Sequence, residues 1–421
     1  MKVSDVFNPG GFPIYTYNPR NQLELEKQFI DYLESGHKLL SLTGPTKSGK
    51  TVLCRRLIPK DSGIWISGGS IREEDDFWAS IITQIEAYTD VETEYSTGTS
   101  ETVVGDVQGG LNIFVAKIES SVTGSETKTK GGSQSFSRKG SPRMVAIHEL
   151  SNQERPVIID DFHYIPPSIQ INIIRSLKTP IFEGLRLVLI SVPHRAYDAV
   201  KIESEMVGRV QQLKIPLWSE NELIEIANKG FPQLNIASNE PANKVMAAES
   251  FGNPQLMQEF CANICKNNTI NETLPVPAKI EGVPKEEFFV RIAKTITSKA
   301  DFELLARGPR ARDRQQRSFN DGRSGDIYLS ILIALANTGP KTEIQYEEIR
   351  AKLRNMLKES VPQRHEISRA LVKMEEISVK SQGKPKIIEW DKREAILYIL
   401  DPYFAFYLRW MIRDKSQQEH L

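Results

Sequence analysis

Cysteine is scarce in this sequence: Cys54, Cys261 and Cys265 are the three in 421 residues. No pair has zinc-finger spacing, and Cys261 and Cys265 have no second pair with which to complete a metal site. An odd, sparse set argues against a disulfide framework and fits a reducing compartment, where free thiols pack as small core residues. Net charge is missing too, since 54 basic residues balance 54 acidic ones. Global attraction to nucleic acid or to an anionic membrane is therefore not implied, and any such contact must come from a local patch. Long apolar runs are also absent. The longest, near residues 185–192 and 328–336, fall far short of the roughly 20 residues that span a bilayer. The opening MKVSDVFNPG has no signal-peptide apolar stretch. The expectation is a cytoplasmic chain of two or three domains with no membrane partner.

What is present begins with alternation. Residues 21–35 carry Leu23, Leu25, Phe29 and Leu33 near the helical period, and Gly36 ends that helix. Short apolar segments at 38–43, 63–67, 156–160, 185–192 and 211–216 read as strands. Between them, helices are expected at 50–57, 70–88, 144–151 and 168–182. Glu73 to Asp76 sit in the first turn of the 70–88 helix, where acids suit the positive end of the dipole. Strands alternating with helices predict an α/β fold with a parallel sheet covered on both faces. Residues 91–141 interrupt the pattern and are rich in Ser, Thr and Gly. They read either as a projecting hairpin, with residues 111–118 as one arm, or as a disordered surface insertion. From 219 onward the pattern is mainly helical, with helices at 220–229, 241–251, 254–266 and 288–306. Arg307, Arg310, Arg312, Arg314, Arg317 and Arg323 then crowd a linker or exposed loop. Helices at 326–337, 346–357 and 364–377, a hairpin of 386–390 with 395–400, and a last aromatic helix at 403–412 complete the chain. Three helices and a hairpin are the parts of a winged helix. No internal repeat is found.

Two motifs carry chemistry. Gly44, Pro45, Thr46, Lys47, Ser48, Gly49, Lys50 and Thr51 match G-x-x-x-x-G-K-[ST], after an apolar strand and at the start of a helix. The glycines let backbone amides curl round phosphates, and the helix N-terminus adds positive potential. Lys50 then reaches the β- and γ-phosphates of ATP, and the Thr51 hydroxyl ligates magnesium. Val157, Ile158 and Ile159 lead to Asp160 and Asp161 at the carboxyl edge of the sheet. Asp160 is the magnesium ligand by this reading, and Asp161 orients the attacking water. Ser191 ends the strand expected beside the phosphate-loop strand, and is either a γ-phosphate sensor or a structural serine. Arg209 precedes the last strand and either reaches a neighbouring subunit's γ-phosphate or pairs with a surface acid. His163 reads as a loop histidine.

These residues, with Tyr17-Asn18-Pro19-Arg20, Gly252-Asn253-Pro254 and the run from Asp401 to Phe406, resemble the AAA+-related STAND group of P-loop ATPases. The prokaryotic archaeal-type ATPase branch is the most similar, over about residues 15–421 apart from the insertion. The resemblance implies a P-loop core with a five-stranded parallel sheet, a helical lid and a C-terminal winged helix. It places Arg20 and Pro254 on the adenine side. The expected division is core 1–218 with the insertion at 91–141, lid 219–306, Arg-rich linker 307–324 and winged helix 325–421. Two departures stand out. AAA+ proteins usually carry Glu where this chain has Asp161, and the lid stretch 252–265 has no Arg sensor.

The implied function is an ATP-hydrolysing switch coupled to homo-oligomerisation or to a protein partner, in prokaryotic defence or signalling. Two alternatives stay open. One is an ATP-regulated DNA-binding protein, using Arg364, His365, Arg369, Lys373 and Arg393 together with the Arg-rich segment, although Glu366, Glu375 and Glu376 share that region. The other is a scaffold that binds nucleotide without turnover.

Overall fold

The computed structural model describes residues 1–87, 90–96, 133–139, 141–192, 206, 208–309, 314–358, 360–379 and 386–412, with 90–96 and 133–139 as backbone only. Its first half is built on five strands: β1 (Leu39–Thr43), β2 (Ile64–Ser67), β3 (Val157–Asp160), β4 (Leu187–Ser191) and β5 (Val210–Lys214). They pair in the order β2-β3-β4-β1-β5, all parallel. Side chains alternate between the faces of a strand. Leu39, Ile64, Ile66, Val157, Ile159, Leu187 and Leu189 therefore fill one core, while Leu40, Leu42, Ile158, Val188, Ile190 and Leu213 fill the other. Apolar side chains on both faces are the reason β3 and β4 read as continuous hydrophobic runs, whereas the edge strand β5, Val210-Gln211-Gln212-Leu213-Lys214, does not.

Helices α1 (Leu25–Ser35) and α2 (Lys50–Leu57) supply residues to the second core; α3 (Glu74–Ile85), α4 (Pro142–Ser151) and α5 (Pro167–Phe182) supply the first. The helix expected over 21–35 is broken. Asn21–Leu23 is a 3-10 turn, and Glu24, at φ 48°, separates it from α1. The helix expected over 70–88 is shorter because a capping box of Glu73 and Asp76 starts it at Glu74. The insertion does begin and end as a hairpin, but its paired arms are Asp90–Ser96 and Ser133–Lys139. Residues 111–118, the expected arm, lie outside the described residues.

Helices α6 (Glu220–Gln233), α7 (Glu240–Ala248), α8 (Pro254–Asn267), α9 (Glu286–Thr295) and α10 (Lys299–Arg307) follow. One helix was expected over 288–306. Two form instead, because Ile296 turns to extended backbone after α9. The winged helix comprises α11 (Ile327–Ala336), α12 (Tyr346–Met356), α13 (Arg364–Val379), and a sheet of β6 (Glu343–Gln345), β7 (Ile388–Asp391) and β8 (Ile396–Ile399) in the order β6-β8-β7. The strand β6 was not anticipated; three residues before a helix give too little period-2 pattern. The chain then enters α14 (Pro402–Tyr407) and a π-helical turn, Leu408–Ile412. Buried residues from α6 through this turn form one continuous core, so the helical region and the winged helix share their packing.

The arginine-rich segment corrects another expectation. Arg314 pairs with Asp326, Arg323 pairs with Asp321, and Arg317 is buried beside Glu366 at 3.5 Å. At these positions it is a packed connection rather than an exposed run. Arg310 and Arg312 lie outside the described residues. No helix among the described residues is long and apolar enough to cross a membrane.

Candidate nucleotide site

The loop after β1 emerges at the carboxyl edge of the sheet, where open α/β folds bind ligands. It must turn sharply, and two glycines make this possible. A Cβ on Gly44 would lie 2.6 Å from the Ile215 carbonyl oxygen, and Gly49 has φ 99°. Gly49 is also the N-cap of α2, so the helix starts at Lys50 with no side-chain cap on its first amides. Such an end is suited to anions.

Lys50 is only 8 % exposed. Its ammonium spans the loop and donates to the carbonyls of Gly44 at 2.9 Å and Pro45 at 2.7 Å. Burial pushes its pKa down to about 8, against the raising pull of Asp161 and then Asp160. Thr51 and Asp160 meet across 109 residues of sequence. The Thr51 hydroxyl donates to the carboxylate at 3.2 Å to Oδ1 and 3.0 Å to Oδ2. Asp161 follows in left-handed backbone at φ 54°, its amide donating to Asp160 Oδ1 at 3.0 Å. Burial, then the neighbouring Asp160, raise its pKa; Lys50 opposes them. Ser191 is the register partner of Thr43, the last residue before the loop. It is 1 % exposed, and its hydroxyl has no hydrogen-bond partner.

A cavity of about 330 Å³ opens over the loop. Pro19, Leu25, Ile226 and Pro254 are among its apolar lining, and Asp161 and His163 line it as well. Pro254 is the first residue of α8. Arg20 also lines the cavity, but four of its guanidinium N–H groups are engaged elsewhere: it forms a two-point pair with Glu222 at 2.9 and 3.0 Å and donates to the carbonyls of Pro216 and Leu217. It also lies over the Trp218 ring, 4.9 Å from the centroid. Burial alone would raise the Glu222 pKa; the hydrogen bonds from Arg20 and the Ser219 amide outweigh it and hold it low. Arg20 thus clamps the N-terminal segment to the start of α6. Arg209 stands at the opposite edge of the sheet from this loop, just before β5, with its guanidinium 5.3 Å from the Phe182 ring centroid.

Sequence reasoning missed several contacts to the loop backbone. Asn253 caps α8 by accepting from the amides of Gln255 and Leu256, and its Nδ2 donates to the Lys47 carbonyl at 3.1 Å. Trp218 Nε1 donates to the Ser48 carbonyl at 2.9 Å. The signal for Asn253 was available, since it sits between Gly252 and Pro254 in the quoted signature. Trp218 carries only its place before the capping box of Ser219 and Glu222.

A magnesium ion fits the oxygen pair of Thr51 and Asp160. Magnesium is commonly held by one or two carboxylates plus ligand phosphates rather than by an all-protein cage. Among the described residues no group of three or more His, Cys, Asp or Glu side chains could hold a metal. The three cysteines are free and buried.

Strand order, phosphate loop and winged helix together define an α/β fold with a five-stranded parallel P-loop sheet and a C-terminal winged helix. No protein-family model and no curated protein matches the sequence. Among solved structures, the chain is similar to the Walker-type ATPase of Pyrococcus abyssi, at 15% identity over 94% of this chain and 99% of that chain, with a TM-score of 0.53. Two Aeropyrum pernix structures also align. The ORC2 protein in its ADP form matches at 11% identity over 95% and 94%, with a TM-score of 0.45. The ORC1 protein in complex with DNA matches at 13% over 100% and 98%, with a TM-score of 0.45. At 15% identity the likeness to the Pyrococcus abyssi ATPase is one of fold alone.

Proposed function

We propose that this chain is an ATP-binding, ATP-hydrolysing switch of the AAA+/STAND type. The observation that carries the reading is the meeting of Thr51 with Asp160 beside a buried Lys50 at the rim of one cavity. The amides of residues 44–51 and the start of α2 hold the phosphates, and Lys50 neutralises the β- and γ-oxygens. Thr51 and Asp160 hold magnesium, which when bound supplies further charge neutralisation on those oxygens. Asp161 orients the attacking water. Its raised pKa brings it nearer to that of a useful proton acceptor than an ordinary aspartate would be. Ser191 offers an unpartnered hydroxyl for the γ-phosphate. Arg209 serves the γ-phosphate of an adjacent copy in a homo-oligomer, as befits its position away from its own loop. Pro254 packs on the adenine side, and Arg20 shapes that side through its pair with Glu222.

The working units are core 1–218, lid 219–306, linker 307–324 and winged helix 325–421. Asn253 joins the loop to the lid, and Trp218, the last residue of the core before the lid, holds the next carbonyl, so a change at the phosphates reaches the lid, and through the shared core the winged helix. That coupling suits a protein-activating switch in prokaryotic defence or signalling, with γ-phosphate and magnesium ordering the closed form.

The test is ATP turnover by the purified full chain, with and without double-stranded DNA, beside Lys50→Ala and Asp161→Ala. Turnover lost in both variants supports the switch. Tight binding without turnover under every condition refutes hydrolysis and leaves a nucleotide-gated scaffold. Strong stimulation by DNA moves the reading to an ATP-regulated DNA-binding protein.

A further inference from the structure

Lys47, in the phosphate loop, is gripped from far along the chain. Its ammonium lies 2.7 Å from Asp401 Oδ1 and 4.4 Å from the centre of the Tyr403 ring. Both partners belong to the segment that follows the wing, and 354 residues separate Lys47 from Asp401. Asp401 is the N-cap of α14, its Oδ1 also accepting from the Tyr403 amide at 3.0 Å. The grip coincides with backbone that needs holding: Lys47 has φ 61°, the left-handed region that a residue with a side chain seldom occupies. Such a conformation persists only where the surroundings over-determine it. Here the Lys47 carbonyl is held by Asn253, the next carbonyl by Trp218, and the side chain by Asp401 and Tyr403.

We propose that Asp401 and Tyr403 are positioning residues of the nucleotide site. By gripping Lys47 they hold the phosphate loop in its binding shape, and bound nucleotide in return holds the C-terminal segment against the core. This rests on the nucleotide-binding reading above. The physical basis is preorganisation: amides already fixed toward the cavity need not be ordered by the arriving phosphates. The return effect follows from linkage, because two events that favour one shared conformation must favour each other equally. The route to the wing is short, since only Leu400 and Asp401 separate the end of β8 from the start of α14.

The experiment uses the full chain, with ADP and a non-hydrolysable ATP analogue as probes. Asn is as good an N-cap as Asp, so Asp401→Asn keeps the start of α14 while removing the charge that holds Lys47. Tyr403→Phe keeps the ring under the ammonium, and Tyr403→Leu removes it. A half-exposed ion pair and a cation–π contact each correspond to about twofold to fivefold in affinity. Asp401→Asn and Tyr403→Leu are therefore expected to bind nucleotide about twofold to fivefold more weakly, with Tyr403→Phe close to wild type and the unliganded melting temperature of Asp401→Asn unchanged. Hydrogen exchange supplies the readout that mere structural damage would not move. Nucleotide should slow exchange at residues 403–407 in wild type, and slow it less in Asp401→Asn. Affinity in Asp401→Asn equal to or tighter than wild type, or identical protection of 403–407, overturns the proposal. If Tyr403→Leu does not fold, Asp401→Asn and the exchange data still decide. Wild type that fails to bind, or Lys50→Ala that binds like wild type, instead refutes the nucleotide reading, and the proposal falls with it.

Discussion

At the phosphate loop, Lys50 is buried and directed across its own loop beside a cavity. Along α13 of the winged helix, Arg364 and Lys373 stand near the surface and are matched by their own neighbours, while His365 and Arg369 are exposed. Arg364 lies over the Tyr346 ring at 5.2 Å, Lys373 pairs with Glu376 at 2.6 Å, and the acids Glu366 and Glu375 take Arg317 and Lys386. In sequence the two regions look alike, each a helix opening on basic residues. The difference is what burial does to a charge. A cation held out of water in a confined cleft interacts strongly with an arriving anion, whereas exposed cations already paired with carboxylates are screened. Basic residues in a winged helix are thus weak grounds for DNA binding unless they are free of internal partners.

A third setting of a cation sharpens the contrast and gives the largest effect. Arg20 and Glu222 are both nearly inaccessible, at 3% and 9% side-chain exposure. Arg20→Ala strands a buried carboxylate and should remove about 3–5 kcal/mol of stability, read by urea denaturation. A loss below 1 kcal/mol would show that the clamp is dispensable. Next comes Lys50→Ala, which should weaken ATP binding by about a hundredfold, as expected when one partner of a desolvated charge contact is removed. Titration calorimetry would measure it.

The pH response is smaller and has a definite sign. Lys50 is charged below its pKa of about 8 and neutral above it, so ADP affinity should hold at neutral pH and fall as pH rises past about 8. The decline is at most about tenfold per unit for loss of one proton. Lys50→Arg, which stays charged, should flatten that limb. On the acid side, Asp161 takes up its proton at a higher pH than an ordinary aspartate, so turnover should begin to fall earlier as pH is lowered. Smallest of all is Lys373→Ala. Its i,i+3 pair with Glu376 is worth under about 0.5 kcal/mol, so melting should hardly move. A marked drop in salt-dependent DNA affinity in that variant would break the comparison between the two regions.

Much of the core was legible because its signals are local. Five apolar runs gave five parallel strands, and residues 50–57 form the expected helix from Lys50 to Leu57. The strand ending at Ser191 does lie beside the phosphate-loop strand. Misreadings came where periodicity continued through a break. Apolar spacing runs on across Glu24 and across Ile296, but backbone turns out of the helix at both. The arginine-rich segment looked exposed by composition, yet Arg314, Arg317 and Arg323 each find a carboxylate.

Local sequence was enough for the phosphate loop and the strand leading to Asp160 and Asp161, because glycine freedom and apolar runs act over a few neighbouring residues. Tertiary structure alone decided which distant groups meet there. Glu222 takes Arg20 from 202 residues away, and Asp401 takes Lys47 from 354. No local pattern encodes such pairs. They depend on how the helical region and the winged helix, packed into one shared core, are set down on the edge of the sheet.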